Sequence, residues 1–363
     1  MITETLILTL ILIYFTFYII YIRLLIKLFD SHFENDMPDN INFSVIVAAK
    51  NESKNIVSLI NTFKPITYPQ DMFELIIVDD NSSDGTFEIA KDLIEDYDNF
   101  NVLKATNEIY EGKRGALETG ITQAKFENIL ITDADCVPSA NWIKEMAKKF
   151  NGHCDFVFGI APFKQEKSFV NKISCYENFR NTLLSFFTAK IGIPHTAAAR
   201  NFGFKLKSFE KLGGYKNTTD TISGDDDLLL REAVKHKMKI CTLTSKDGIV
   251  LSESEKTFKQ YFRQRARHTQ TSLHYRTAQK LFLSAWHIIN IFFLFSVLLI
   301  PFNEFFVLPF VVKLFFDITL AWMFQKKFNY KFSLPEIFYL QIIYELFLMI
   351  HFFNAKFGKI TWK

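Results

Sequence analysis

Apolar residues gather at the two ends of the chain, and shorter apolar runs alternate with polar clusters between them. Leu6 to Ile26 is apolar apart from Tyr, Thr and Arg23, long enough to span the ~30 Å hydrocarbon core of a bilayer. Leu281–Ile300, Phe305–Phe324 and Leu334–Phe353 repeat the pattern near the other end, and no run between Asp30 and Lys280 reaches spanning length. The expected layout is one N-terminal anchor (1–30), a soluble domain (31–250), a basic interfacial helix (251–280) and a C-terminal membrane bundle with a basic tail (281–363) that crosses two to three times. Only Glu4 is charged ahead of the first run, and no small-residue cleavage site follows it. A retained anchor is therefore expected rather than a cleaved leader.

Within the soluble domain, Phe43–Ala49, Leu75–Val78, Asn101–Ala105 and Ile129–Thr132 read as buried strands. Helical patterns follow at Asn51–Phe63, at Phe87, Ala90, Leu93 and Ile94, and after Gly112-Lys113-Arg114-Gly115. Strand and helix alternate, which predicts an α/β domain with a mostly parallel sheet covered by helices. Ligands bind beyond the carboxyl ends of such strands. The polar clusters fall at those ends.

Composition adjusts this picture in three ways. Apolar residues make up 49% of the 363 positions and Phe alone supplies 41, which fits a membrane-attached protein. The net charge of +3 gives no reason to expect nucleic acid as a partner. Cys136, Cys154, Cys175 and Cys241 form no CxxC pair, so reduced thiols are expected. Basic residues set the orientation. Arg23 and Lys27 close the first run, and Arg263, Arg265, Arg267, Arg276 and Lys280 precede the second. They place the soluble domain in the cytoplasm, on the inner face of the cell membrane. Lys356, Lys359 and Lys363 also favour the inside, which conflicts with four full crossings.

Four clusters carry candidate chemistry. Asp133 and Asp135 close an apolar strand one residue apart. Two such carboxylates repel unless a cation lies between them, and Mg²⁺ or Mn²⁺ would share them with phosphate oxygens. Asp79 and Asp80 end another strand, where they could form an Asx-type turn or accept a hydrogen bond from a nucleotide base. Lys113 could steady a diphosphate or remain a solvated lysine. Asp225, Asp226 and Asp227 precede a helix start. Capping explains part of the triplet, and one member raised by its neighbours would suit a general base. The basic stretch Gln260–His268 could flank a membrane or clamp a diphosphate. Lys313 and Asp317 are spaced to pair across one helix turn, and Glu345 and His351 are also polar within apolar runs.

Taken in order, these motifs resemble the family 2 glycosyltransferases of GT-A fold, over residues 43–268. Asn51-Glu52 resembles the end of a Pro-x-x-Asn-Glu nucleotide motif, with Ala48 in place of proline. Val78 to Thr86 resembles the Val-Asp-Asp-x-Ser-x-Asp-x-Thr signature, and Gly112-Lys113 the diphosphate segment, with Glu118 where Asn is common. Asp133-Ala134-Asp135 resembles the metal-binding Asp-x-Asp, and Asn201–Tyr215 the acceptor-side segment ending in Gly-Gly-aromatic. Gly224–Arg231 resembles the Glu-Asp-x-Asp-Leu element in either of two registers, which make Asp225 or Asp226 the base. Gln264, Arg267 and His268 resemble Gln-x-x-Arg-Trp, with His in the Trp position.

The resemblance implies a metal-dependent, inverting sugar transfer from a nucleotide-sugar donor, UDP-linked by preference, to a lipid-linked or surface-glycan acceptor. Glu52, Asp79, Asp80, Lys113 and Asp133 would hold the nucleotide. Asp133 and Asp135 would hold the metal. Gln264, Arg267 and His268 would serve the diphosphate and acceptor. The small bundle and His268 favour transfer of one or a few sugars over a processive polysaccharide synthase. A nucleotide-binding scaffold without turnover and a nucleotidyltransferase are the alternatives.

Overall fold

The computed structural model describes residues 2–30, 41–106, 109–110, 112–152, 154–221 and 223–358. The first half runs α1 (Ile2–Phe29), β1 (Phe43–Ala49), α2 (Ile56–Phe63), β2 (Phe73–Asp79), α3 (Thr86–Ile94), β3 (Phe100–Lys104), α4 (Lys113–Thr122), β4 (Asn128–Asp133), β5 (Cys136–Pro138), α5 (Trp142–Asn151) and β6 (Phe156–Gly159). It continues through α6 (Phe169–Lys190), β7 (Phe202–Lys205), α7 (Leu206–Lys211), α8 (Asp227–Lys235), β8 (Ile240–Leu243) and β9 (Val250–Ser252). The last helices are α9 (Phe258–Ser272), α10 (Thr277–Phe295), α11 (Val307–Phe324) and α12 (Leu334–Phe357).

Packing divides the chain into two units. A sheet unit comprises His32–Lys164 and His195–Glu253, and a helical unit comprises Met1–Ser31, Gln165–Pro194 and Ser254–Lys363. The continuous 31–250 domain expected from the sequence is thus interrupted, because α6 packs with the helical unit. Hydropathy passes over α6 because it carries Glu177 and Arg180, yet both are buried.

The sheet unit holds a seven-stranded sheet of order β3-β2-β1-β4-β7-β6-β8. Strands β3, β2, β1 and β4 are parallel, whereas β7 runs antiparallel to β4 and β6. The four parallel strands fall where the apolar runs predicted, within one or two residues. The remaining strands are only three or four residues long, too short for a period-two signal. Central strand β1 has Val45, Ile46 and Val47 fully buried. Its alternate side chains join α2 residues Ile56, Leu59, Ile60 and Phe63 in one core. On the other face α4 comes close through Gly120, where an added Cβ would lie 2.5 Å from Ile46 Cγ2.

Two sequence expectations need correction here. The helix expected from Asn51 begins only at Ile56; Asn51 itself takes a left-handed φ of 57°, and the amides of Asn51, Glu52 and Ser53 are capped by the side chains of Ser82, Thr86 and Asp84. Cys154 and Cys241 are joined in a disulfide with Cα atoms 6.0 Å apart, while Cys136 and Cys175 form no disulfide among the described residues. The pairing spans 87 residues. It arises from the parallel pairing of β6 with β8, which no local spacing announces.

Among the described residues, the helical unit contains four helices long and apolar enough to cross a membrane: Ile2–Phe29, Thr277–Leu299, Glu304–Phe328 and Leu334–Phe357. Much of the chain's aromatic content packs here. Tyr14 stacks on Phe293 at 4.1 Å, and Tyr18 on Trp286 at 5.4 Å. Charged groups are buried among them. Lys313 reaches Asp317 at 2.8 Å, Glu345 at 3.0 Å and Asn290 Oδ1 at 3.2 Å. Arg180 donates to the other oxygen of Asp317. Tyr14 and Tyr18 donate to Asn290 Oδ1, each at 3.0 Å. The expected Lys313–Asp317 pair is therefore one edge of a network that joins α1, α6, α10, α11 and α12. Glu345 belongs to it, and His351 lies 3.2 Å from the Tyr261 hydroxyl.

Candidate functional site

Three strand ends set the floor of the site. In register, Asp79 of β2 stands opposite Ala49 of β1, and Asp133 of β4 stands opposite Ala48. Neighbouring strands are about 4.8 Å apart, so the two acids flank β1 roughly 10 Å from each other. The chain turns from β1 to β2 on one side and reaches β4 on the other, the switch point at which open α/β sheets bind ligands.

The loops after β1 and β2 are laced together. Asn51 N–H donates to Ser82 Oγ and Ser83 N–H donates to Asn51 Oδ1, both at 2.9 Å. Glu52 N–H donates to Thr86 Oγ1 at 2.9 Å, and Ser53 N–H to Asp84 Oδ2 at 3.0 Å. The turns need Asn51 at φ 57° and Asn81 at φ 54°, a left-handed conformation that asparagine tolerates better than most residues. The Thr86 hydroxyl, helped by backbone amides, holds the Asp84 carboxyl well below the usual range. Asp84 is thus a structural acceptor.

The acids of this half differ in their partners. Asp80 Oδ2 pairs with Lys50 Nζ at 3.1 Å. Glu52 Oε2 accepts from Asn55 Nδ2 at 2.7 Å. Asp79 is 2% exposed, and its Oδ2 accepts the Ser82 amide at 3.1 Å. Its Oδ1 is buried with no hydrogen bond among the described residues. A buried acceptor left in that state costs about 1–3 kcal/mol, so a donor placed there is strongly favoured.

The other half converges on Lys113, the first residue of α4. Its ammonium lies 2.7 Å from Asp133 Oδ1 and 3.3 Å from Asp225 Oδ2. Burial opposes its charge, but Asp133 and then Asp225 more than reverse that effect, and Lys113 stays protonated well above its ordinary range. The three acids at the start of α8 then separate. Asp226 accepts the Ala199 amide on one oxygen and the Asp227 amide on the other, each at 2.7 Å. Asp227 Oδ1 accepts from the Thr196 hydroxyl at 2.7 Å and the Ala197 amide at 3.0 Å. Asp225 takes no backbone amide among the described residues and faces Lys113. Burial, then the charges of Asp227 and Asp225, push the Asp226 carboxyl well above the usual range.

Asp133, Asp135 and Cys136 bring one candidate ligand atom each within 4.8 Å of one another. Burial first, then Asp133, push the Asp135 carboxyl up to about 6. The Cys136 thiol is held well above its ordinary value, chiefly by burial, and stays protonated. Two adjacent carboxylates, one of them balanced by Lys113, and no thiolate form an oxygen donor set, suited to Mg²⁺ or Mn²⁺ rather than a soft metal. The Asp135 shift carries a prediction. Cation binding must displace its proton below about pH 6. Affinity is therefore expected to fall about tenfold per unit as pH drops below that point, and to level off above it. Titration calorimetry with Mn²⁺ between pH 5 and 7.5 measures this, and a flat profile would contradict it.

The sheet unit brings together Glu52, Asp79 and Asp80 at one side of β1 and Lys113, Asp133, Asp135, Asp225 and Asp226 at the other. Gln264, Arg267 and His268 lie on α9 of the helical unit, where Gln264 donates to Glu255 at 3.2 Å. Arg114, beside Lys113, also faces this side, and its side chain donates to the carbonyls of Thr221 and Ser223. Its only signal in the sequence is that position.

Residues 44–213 match the family model described as Glycosyl transferase family 2. Half of this chain (50%) is 29% identical to Glycosyltransferase AglE of Haloferax volcanii, over 58% of that protein. A third of it (33%) is 33% identical to the Beta-monoglucosyldiacylglycerol synthase of Trichormus variabilis, over 26% of that protein. The chain thus spans less than two thirds of the curated relatives it matches. Among solved structures, mannosyltransferase PcManGT from Pyrobaculum calidifontis, in complex with GDP-Man and Mn²⁺, covers 99% of this chain and 98% of its own, with a TM-score of 0.59 at 19% identity. At that identity the likeness is one of fold. Residues 44–213 thus match glycosyl transferase family 2, and the sheet order and the fold likeness agree with a GT-A fold in the sheet unit.

Proposed function

We propose that this protein is an inverting glycosyltransferase. It moves a sugar from a nucleotide-sugar to a lipid-linked or surface-glycan acceptor at the cytoplasmic face of the membrane. The observation that carries the reading is the Lys113 ammonium held between Asp133 and Asp225. One end of α4 thereby joins the candidate metal and diphosphate side to the candidate base. The names of the relatives above supply the classes to test: a diacylglycerol lipid as acceptor, and GDP-linked as well as UDP-linked sugars as donors.

Each residue then has a role set by its surroundings. The unpartnered Asp79 Oδ1 accepts an N–H of the base, while Asp80 and Glu52 frame the same side. Asp133 and Asp135 would hold Mg²⁺ or Mn²⁺, which neutralises charge on the leaving diphosphate when bound. Lys113 adds a second positive charge there. The acceptor oxygen attacks the anomeric carbon as its bond to the diphosphate breaks, and Asp225 takes the hydroxyl proton. Asp226 is the member whose carboxyl is raised, but both its oxygens accept backbone amides, so with Asp227 it holds the loop that presents Asp225. Gln264, Arg267 and His268 are assigned to the diphosphate and acceptor by motif alone.

The test is release of nucleoside diphosphate by detergent-solubilised protein with lipids, Mn²⁺ or Mg²⁺ and a panel of UDP- and GDP-sugars. Metal-dependent release with one donor is expected, and Asp133→Ala is expected to abolish it. Nucleotide binding without release from any donor would favour the scaffold reading. Absence of nucleotide binding would refute the site.

A further inference from the structure

Arg114 is 8% exposed and follows Lys113 on the first turn of α4. Its Nη1 donates to the Thr221 carbonyl at 2.7 Å, and its Nη2 to the Ser223 carbonyl at 2.6 Å. Gly224, at φ 86°, separates that clamp from Asp225. Two consecutive residues of one helix end thus grip the same loop, Lys113 by the Asp225 side chain and Arg114 by the backbone before it. The buried Nε of Arg114 has no partner among the described residues, so the fork alone commits the guanidinium. Lysine keeps the charge but lacks the planar fork that meets the two carbonyls with separate nitrogens.

We propose that Arg114 is a positioning residue that sets the place of Asp225, coupling the helix end assigned to the donor diphosphate to the loop that carries the base. This rests on the assignment of Asp225 made above. A carboxylate displaced by about 1 Å from its reaction geometry can cost on the order of a hundredfold in rate without loss of binding.

The test compares full-length wild type with Arg114→Gln, Arg114→Lys and Asp225→Asn. It uses whichever nucleotide-sugar the wild type turns over, with the matching nucleoside diphosphate as binding probe. Arg114→Gln is expected to lower kcat about ten- to hundredfold while the donor KM and nucleotide affinity stay within about twofold. Arg114→Lys is expected to recover part of the loss, and amide exchange around residues 223–226 to quicken in Arg114→Gln. Wild-type kinetics in Arg114→Gln beside an inactive Asp225→Asn would overturn the proposal and leave the transferase reading standing. An equal loss of nucleotide affinity and kcat would reduce Arg114 to a structural role and also overturn it. A wild type silent with every donor would remove the transferase reading, and this one with it. Arg114→Lys keeps the buried charge and serves should the glutamine variant fail to fold.

Discussion

Asp225→Asn is expected to lower kcat by about 10²–10⁴-fold, the range for loss of a general base, while nucleotide affinity holds. Asn keeps the shape of the side chain but cannot take a proton. Asp226→Asn should behave differently. Both oxygens of Asp226 are engaged by the amides of Ala199 and Asp227, and Asn retains only one acceptor. Its cost should appear mainly as a lower melting temperature, with residual turnover well above that of Asp225→Asn. Steady-state rates and thermal unfolding of the two variants decide the matter. A reversed order, with Asp226→Asn dead and Asp225→Asn active, would move the base by one residue.

Asp317→Leu is expected to destabilise the helical unit by about 3–5 kcal/mol, the cost of removing one partner of a buried ion pair. Asp317 accepts from both Arg180 and Lys313. Lys313 and Asp317 have no exposed side-chain surface, and Glu345 and Arg180 expose only 1% and 5%. The four charges cancel. Without Asp317, two buried cations would be left with one carboxylate, Glu345. Removing Arg180 together with Asp317 leaves Lys313 and Glu345 as a neutral pair. Arg180→Leu with Asp317→Leu should therefore be more stable than Asp317→Leu alone. Thermal inactivation in detergent would show it, and additive losses in the double variant would refute the coupling.

The two halves of this molecule differed in how far they could be read beforehand. Strands β1, β2 and β4 were legible because each is an unbroken apolar run, and Asp79 and Asp133 because each closes such a run. The choice between Asp225 and Asp226 was not legible, since both registers fit one motif. Their difference lies in the amides of Thr196–Ala199 region backbone that reach Asp226 and Asp227, nearly thirty positions earlier in the chain. Arg180 and Glu177 gave α6 the composition of a solvent-facing helix. Their partners Asp317 and Arg265 are distant in sequence, and only tertiary packing supplies them. Cys154 and Cys241 were hidden for the same reason.

The lacing of the β1 and β2 loops has a consequence for recognition. Fixing the backbone of a flexible residue costs roughly 1–2 kcal/mol, and a loop that orders only around its ligand subtracts that cost from affinity. Here Asn51, Glu52, Ser53, Ser82, Ser83, Asp84 and Thr86 are already tied to one another through protein hydrogen bonds. Their ordering entropy is lost at folding, before any encounter. A planar ring arriving beside Asp79 meets a rigid wall, and its binding should show a small entropic penalty and little change in loop protection. With the base placed beside Asp79 as proposed, selectivity at this end of the site is expected to follow from shape.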